Sequence, residues 1–404
     1  MKQIINHFTD NDLYTFTCMY YVLQKYPRAE TEYSFFDRNR TCYPKGFDAL
    51  LREQLEHLAE VTITDEEREY MTSAFPFLPY WFINVFLRGF RFNSAELTIT
   101  QDEEGHLDIS VRGKCWSTII WEMPILATIS ELMHTLNGDT AKYDAEAEWE
   151  KSLQKGREIW KNGLTLGDMG TRRRFSFDHH ERVIDALIQS YAEVCKETGG
   201  HCGKFTGTSN VYFAMKKNIP CLGTMSHQCI SFEEIVSGVF ECNYNVMNKW
   251  SEVYDGNVGI FLYDCFGDRV FFNNLSKRMA MTFCGLRIDS GVEEEQVDMI
   301  VEKYKQLGID PMSKQAVFSN GLDIKRAVEI HRYCQGKITD SYGVGTFLTC
   351  DVTDCSPMNI VVKLVRGRIT ESREWHPCVK LSCDKGKTLG DAKKCEYLVS
   401  VLNE

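Results

Sequence analysis

An α/β fold is predicted: an irregular, incomplete TIM-like α/β barrel, plus an α+β N-terminal domain joined by the C-terminal segment. Three observations predict it. From about residue 140, short apolar runs ending in Gly, Ser, Thr or Asp alternate with helical patterns, the signature of βα units and a parallel sheet. About seven such runs suit a barrel better than an open sheet. Before them, helices and strands mix without a βα repeat, and strand-like segments return after Pro357. The expected division is residues 1–138, completed by 357–404, around a barrel domain at 139–356.

Composition narrows the function. The chain has 404 residues, 43% hydrophobic and 25% charged, ordinary for a folded protein of two domains. A net charge of −11 excludes a general nucleic-acid or anionic-membrane binder. The 16 cysteines, an N-terminus without a signal-peptide pattern and the lack of a transmembrane-length apolar run predict a cytoplasmic protein with reduced thiols. His376, Cys378 and Cys383 lie close together in sequence, as do Cys350 and Cys355. Neither set gives the paired C-x-x-C spacing of structural zinc, and no metal site is expected from them.

The elements read as follows. Phe47, Leu50, Leu51, Leu55 and Leu58 recur at helical spacing, and Thr64-Asp65-Glu66-Glu67 is a capping box. Glu96–Thr100 and Leu107–Arg112 alternate around Glu104-Gly105, a hairpin signal. Trp116–Trp121 reads as a strand and Pro124 to His134 as an apolar helix. Asp139–Lys161 reads as one long charged helix stopped at Gly163. Barrel strands are expected near Leu166–Met169, Lys204–Phe205, Cys221–Leu222, Val258–Tyr263, Thr282–Leu286, Ala316–Phe318 and Ile338–Tyr342. Helices are expected at Ser176–Cys195, Ser209–Lys217, Val292–Leu307 and Asp323–Cys334. Asn359–Val365 and Val379–Leu381 are the returning strands.

A barrel gathers its chemistry on the loops after its strands. Those loops carry an anion-binding set. Gly170-Thr171-Arg172-Arg173-Arg174 runs three guanidinium groups into a helix start, suited to phosphate. Phe205 to Asn210 is hydroxyl-rich. Gly223-Thr224 precedes His227, which could relay protons, bind metal or accept a phosphoryl group. Leu262-Tyr263-Asp264 ends the next run. Arg287 could hold a carboxylate, and Asp289 sugar hydroxyls or hydrated magnesium. Ser319-Asn320-Gly321 and Gly343-Val344-Gly345-Thr346 are glycine turns that let backbone approach a phosphate. The residues by themselves point to a phosphosugar or nucleotide enzyme.

The order of these motifs resembles the nicotinate phosphoribosyltransferase family over nearly the whole chain. It begins at Phe8-Thr9-Asp10-Asn11-Asp12-Leu13-Tyr14 and Trp121-Glu122-Met123-Pro124. It continues through Gly170 to Arg174, Gly207-Thr208-Ser209-Asn210, Gly223-Thr224, Arg287 with Asp289-Ser290-Gly291, Gly343 to Thr346, and Asn359 to Leu364. The resemblance implies an ATP-dependent, ligase-type reaction of NAD salvage. Nicotinate and 5-phosphoribosyl 1-pyrophosphate give nicotinate mononucleotide and pyrophosphate, with Mg2+ and ATP as co-substrate. It implies His227 as the phosphorylated histidine and Asp289 as the second catalytic residue, holding ribose hydroxyls. Tyr14, reaching a neighbouring subunit's site, would bind nicotinate with Thr224 and Arg287. Gly345 and Thr346 would hold the 5-phosphate, with Ser319, Gly321 and Gly343 beside them. Arg172 and Arg174 would meet pyrophosphate or ATP phosphates. A homodimer with shared active sites is implied.

The chain departs from the family's pattern at Gln228-Cys229, Ile288, Val292 and Phe347, where the family often has Glu-Trp, His, Asp and Arg, and at Ser319-Asn320-Gly321. These departures predict looser ATP coupling. Two alternatives follow from the sequence: a phosphoribosyltransferase for nicotinamide or quinolinate, and a catalytically silent nucleotide-binding paralogue.

Overall fold

The computed structural model describes residues 2–381, 388 and 390–403, and Cys383 lies outside the described residues. Two sheets organise the chain. The first is antiparallel and five-stranded: β1 (Glu30–Asp37), β2 (Leu97–Gln101), β3 (Leu107–Lys114), and, far along the chain, β10 (Ile360–Arg368) and β11 (His376–Pro377), in the order β11-β10-β1-β3-β2. The second is parallel, built from β4 (Thr165–Asp168), β5 (Lys204–Thr208), β6 (Ile260–Leu262), β7 (Gly285–Ile288), β8 (Gln315–Phe318) and β9 (Thr339–Val344), in the order β5-β4-β9-β8-β7-β6.

The parallel order is that of a barrel opened at one seam. β9 pairs with β4, closing one side, while β5 and β6 are both edges. The expected strand Cys221–Leu222 would have filled the seam, but it shrinks to one bridge between Thr208 and Cys221. Pro220 cannot donate to a ladder, and the carbonyl of Pro220 crowds Gly207 on the neighbouring strand. The helix His227–Ser237 follows, packed on the helix Cys242–Tyr254 and on β10, and His227 stands at its start on the cavity wall.

The returning C-terminal strand does pair with the N-terminal sheet: β10 runs antiparallel to β1 from Glu30↔Arg368 to Asp37↔Ile360. β1 itself was not foreseen, although Thr31, Tyr33 and Phe35 alternate inward with exposed or half-buried neighbours, the period of a half-buried strand. The capping box forms as expected, with Thr64 accepting from the Glu67 N–H and the Glu67 carboxylate accepting from the Thr64 N–H at 2.7 Å.

Three expectations are corrected. Trp116–Trp121 is helical, Cys115–Thr118 followed by a 3-10 turn Ile119–Trp121. Its apolar run is buried on all sides, so periodicity could not separate helix from strand. Asp139–Lys161 is two helices, Asp139–Lys142 and Ala145–Lys161. The break is local: Tyr143 is extended and the Asp144 carboxylate caps the second helix by accepting from the Glu146 and Ala147 N–H groups. The third is the lost strand at 221–222. The helices Cys242–Tyr254, Asp268–Asn274 and Lys277–Thr282 were also unforeseen.

One polar constellation joins the N-terminal segment to the barrel. Arg174, fully buried, donates to both oxygens of the equally buried Asp10 at 2.7 and 2.8 Å. Asn210 also donates to Asp10 at 2.8 Å. Burial alone would raise the Asp10 carboxyl, but the Arg174 charge and these hydrogen bonds hold it below the usual range. Removing one partner of a buried pair strands the other charge. Arg174→Met is expected to cost about 3–5 kcal/mol of stability, read as a lowered denaturation midpoint. An unchanged midpoint would show that the pair does not hold the interface.

Candidate active site

A cavity of about 880 Å³ opens at the carboxyl ends of the parallel strands, with residues of β10 along one wall. Of the residues singled out in the sequence, Tyr14, Arg172, Thr224, His227, Arg287 and Asp289 line it. Ser319, Gly321, Gly343, Gly345 and Thr346 line it as well. Arg174 does not: it is committed to Asp10 inside the protein, so the sequence-based choice of Arg174 for phosphate is not supported by its position. Tyr14 lines the cavity of its own chain, where its hydroxyl donates to Glu122 at 2.9 Å.

The strand ends set one pole. His227 Nε2 lies 2.9 Å from Asp264 Oδ1, in the loop after β6, and 3.8 Å from Asp289 Oδ2, in the loop after β7. Lys380 Nζ sits 2.8 Å from the same Nε2 and donates to Asp264 Oδ2 at 3.1 Å. Ser290 donates to Asp264 at 2.6 Å, and Ser319 to Asp289 at 2.7 Å. Burial, and then the Lys380 charge, push His227 down to about 4 despite the attraction of Asp264. Burial alone would raise Asp264, but His227, Lys380 and Ser290 hold it well below the usual carboxylate range. His227, Asp264 and Asp289 bring ligand atoms within 4.8 Å of one another, and Lys380 Nζ lies among them, 4.0 Å from Asp289 Oδ2.

Beside this pole, Arg287 donates from one terminal nitrogen to the Met225 carbonyl at 3.1 Å. Its Nε is buried and has no partner among the described residues. The Arg287 side chain lines the cavity, and a guanidinium there suits a carboxylate. Thr224 is held nearby, its carbonyl accepting from the Thr17 hydroxyl at 2.6 Å. A side chain at Gly223 would come within 2.9 Å of the Tyr14 backbone nitrogen, so glycine there lets Tyr14 and Thr224 share one wall. Gly345 is likewise required, because a Cβ would meet the Met169 carbonyl oxygen at 2.7 Å.

Another part of the cavity wall is cationic. Arg38, Arg172, Arg173 and Lys363 line it. Glu122 is their nearby carboxylate, 3.7 Å from Arg172 and 4.0 Å from Lys363. Burial lowers Lys363 to about 8, and lowers Arg173 to about 10 with the Arg172 and Arg38 charges adding to it. Cations held together with so little counter-charge fit a polyanion such as a pyrophosphate or triphosphate.

Family models match along the chain: that for the nicotinate phosphoribosyltransferase (NAPRTase) family over residues 164–404, and that for the NAPRTase N-terminal domain over 9–130. The chain belongs to the nicotinate phosphoribosyltransferase family. It is 37% identical to the nicotinate phosphoribosyltransferase of Desulforapulum autotrophicum over 399 residues, 99% of each chain. The crystal structure of a nicotinate phosphoribosyltransferase from Porphyromonas gingivalis superposes with a TM-score of 0.93 at 38% identity, covering 99% of this chain and 100% of that one. A putative family member from Saccharomyces cerevisiae superposes at 0.90 with 25% identity, covering 100% and 99%.

Sequence reading placed Arg173 in the arginine run suited to phosphate and left Asp264, Lys380, Arg38, Lys363 and Glu122 without roles. Asp264 was on a strand end and could have been weighed with Asp289. Arg38 and Lys380 carry no local signal, because only the docking of β1 and β10 against the barrel brings them there. Of the family departures, Gln228 and Phe347 line the cavity, Ile288 is buried in the core, and Val292 is exposed at a helix start. Cys350 and Cys355 lie beside His134, whose Nδ1 is 2.8 Å from Asp139 and whose Nε2 is 3.3 Å from Cys350 Sγ. His134, Asp139 and Cys355 bring ligand atoms within 4.8 Å of one another.

His227 is expected to remain neutral well below the ordinary histidine value of 6.5. Its folded-state value lies below the unfolded one, so its contribution to stability is full above about 6.5 and is lost as pH falls toward about 4. His227→Asn should reduce that acid loss, read as denaturation midpoints across this range. A ring titrating near 6.5 by NMR would contradict the account.

Proposed function

We propose that the chain transfers the phosphoribosyl group of 5-phosphoribosyl 1-pyrophosphate to nicotinate and couples this to ATP hydrolysis through phosphorylation of His227. The pyridine nitrogen attacks the anomeric carbon, the bond to pyrophosphate breaks, and nicotinate mononucleotide forms. The observation that carries the reading is the Arg287 guanidinium on the wall of the cavity that Tyr14 and Thr224 also line. A carboxylate completes that guanidinium, whereas the neutral amide of nicotinamide offers no charge. Tyr14 and Thr224 flank the same place and would bound the pyridine ring.

Asp289, steadied by Ser319, would accept from ribose hydroxyls. The Ser319–Gly321 and Gly343–Thr346 turns would hold the 5-phosphate. Arg172, with Arg38, Arg173 and Lys363, would take the pyrophosphate or ATP phosphates; we assign Arg174 a structural role instead. Mg2+ would arrive with the phosphates and could be held through water at Asp289, where when bound it would neutralise phosphate charge. The two sheets support the division into an N-terminal domain completed by the C-terminal segment and a barrel domain. The reading includes a cytoplasmic homodimer. No helix among the described residues is long and apolar enough to cross a membrane.

The test is mononucleotide formation from nicotinate, nicotinamide and quinolinate, with and without ATP, for the parent, His227→Ala and Arg287→Ala. Nicotinate should be the substrate used, with ATP accelerating the parent and not His227→Ala. Arg287→Ala should raise the KM for nicotinate about ten- to a hundredfold, the worth of a charged hydrogen bond. Equal use of nicotinamide, or no product from any base, would overturn the reading.

A further inference from the structure

A second group of metal-ligating side chains lies outside the cavity. One donor atom each of His134, Asp139 and Cys355 lies within 4.8 Å of the other two. None of the three lines the cavity. Each is set by its own local structure. His134 stands in the last turn of the helix Glu122–Leu136. Gly138, in the left-handed region at φ 77°, turns the chain so that Asp139 opens the next helix and lies 2.8 Å from His134 Nδ1. Cys355 closes a tight turn: its N–H donates to the Val352 carbonyl at 3.1 Å, and Asp354 before it takes the left-handed conformation at φ 62°, which aspartate tolerates. The Thr353 N–H donates to Glu148 at 2.9 Å, pinning that turn to the helix Ala145–Lys161.

The group lacks a counter-charge. The Asp139 side chain is 18% exposed, and His134 is its sole ion-pair partner among the described residues. Cys355 is a free, half-buried thiol. Of the charges that act on it most, Asp139, Glu148 and Asp354 are acidic and Lys142 is basic. The far ring nitrogen of His134 is already held, with Nε2 3.3 Å from Cys350 Sγ. A ring proton on Nε2 leaves the Nδ1 lone pair on the side of Asp139. Cys350 then orients the ring from outside, as such partners do for metal-bound histidines. Phe175, 4.8 Å from the His134 ring, and Tyr143 stacked on it give an apolar wall. Thiolate, imidazole and carboxylate suit a borderline-soft divalent ion such as zinc, and a thiolate does not suit magnesium or calcium. One thiolate and one carboxylate balance its two charges. Donors on one tetrahedral zinc lie about 3.3–3.5 Å apart, given bonds of about 2.0–2.3 Å. The His134–Asp139 contact need open by only a few tenths of an ångström, and the Cys355 turn close by little more than one.

We propose that His134 Nδ1, one carboxylate oxygen of Asp139 and Cys355 Sγ form a zinc site with an open fourth position for water. Binding releases the Cys355 thiol proton to solvent, the imidazole stays neutral with its proton on Nε2, and no electron is transferred. The metal ties the end of the helix Glu122–Leu136 to the loop that follows the short helix Thr346–Thr349.

The probe is Co2+, titrated into the full-length, chelator-treated protein, because thiolate bound to cobalt gives a charge-transfer band in the near ultraviolet. The parent, Cys355→Ser, Asp139→Asn and Cys350→Ala are compared, and Zn2+ is added afterwards. Expected in the parent is one equivalent of Co2+ carrying the band, bleached by one equivalent of Zn2+. Cys355→Ser should lose the band. Asp139→Asn should weaken binding about ten- to a hundredfold, and Cys350→Ala should keep the band and bind about tenfold more weakly. Zn2+ should raise the denaturation midpoint of the parent and leave that of Cys355→Ser unmoved. A cation held through water at Asp289 touches no thiolate and gives no such band, so the two places are read separately. A parent without the band, a Cys355→Ser variant that keeps it, parental affinity in Asp139→Asn or a band lost in Cys350→Ala would overturn the proposal. Circular dichroism of the metal-free variants reports their folding, and if Cys355→Ser does not fold, the parent titration and Asp139→Asn decide.

Discussion

The site depends on the buried pair between Asp10 and Arg174. Asp10 precedes the first helix, Leu13–Lys25, and Arg174 precedes the helix Phe177–Thr198 of the barrel. Both lie at 1% exposure or less, and Asn210 adds a third donor from the start of the next barrel helix. Around them, Ser209 donates to Asp12 at 2.8 Å and accepts from the Leu13 N–H at 2.8 Å. An ion pair in such a place is weak evidence of net stability. Its consequence is registry: it fixes the N-terminal segment at one height over the strand ends, and Tyr14 thereby meets Thr224 on one wall.

The second constraint is the open seam. A closed barrel would present loops around a full ring. Here β5 and β6 are both edges, and the helix that begins at His227 packs on β10 of the other sheet. The C-terminal segment fastens beside β6 through Leu381 and carries Lys380 over the histidine. Acidic strand-end residues and their lysine thus collect around His227, while arginines from the first barrel loop and from β1's end line the same cavity. A cavity with several cations on its walls suits substrates carrying several phosphates.

Much of this was legible in sequence, for physical reasons that differ by residue. The barrel residues Arg287, Asp289, Ser319 and Gly345 stand at the ends of short apolar runs, where a parallel sheet must place its chemistry. The roles of Tyr14 and His227 came through the family resemblance, and their convergence on one cavity is what the fold adds. Arg174 misled because a run of three arginines carries no mark of which side chain turns inward; the decisive partner, Asp10, is 164 residues away. Arg38 was invisible because its position depends on β1 pairing with β10, and Lys380 because its position depends on Leu381 bridging Phe266, each across the length of the chain. Trp116–Trp121 failed because a wholly buried apolar run has no exposed face to reveal its period.

The central claim is that nicotinate is held by Arg287 at the His227 pole, with phosphates on the late-strand turns. A crystal structure with nicotinate mononucleotide tests it most directly. The account places the pyridine carboxylate on the Arg287 guanidinium between Tyr14 and Thr224, and the 5-phosphate on the turns at 319–321 and 345–346. A mononucleotide lying the other way, with its carboxylate among Arg38, Arg172 and Lys363 and Arg287 untouched, would contradict it.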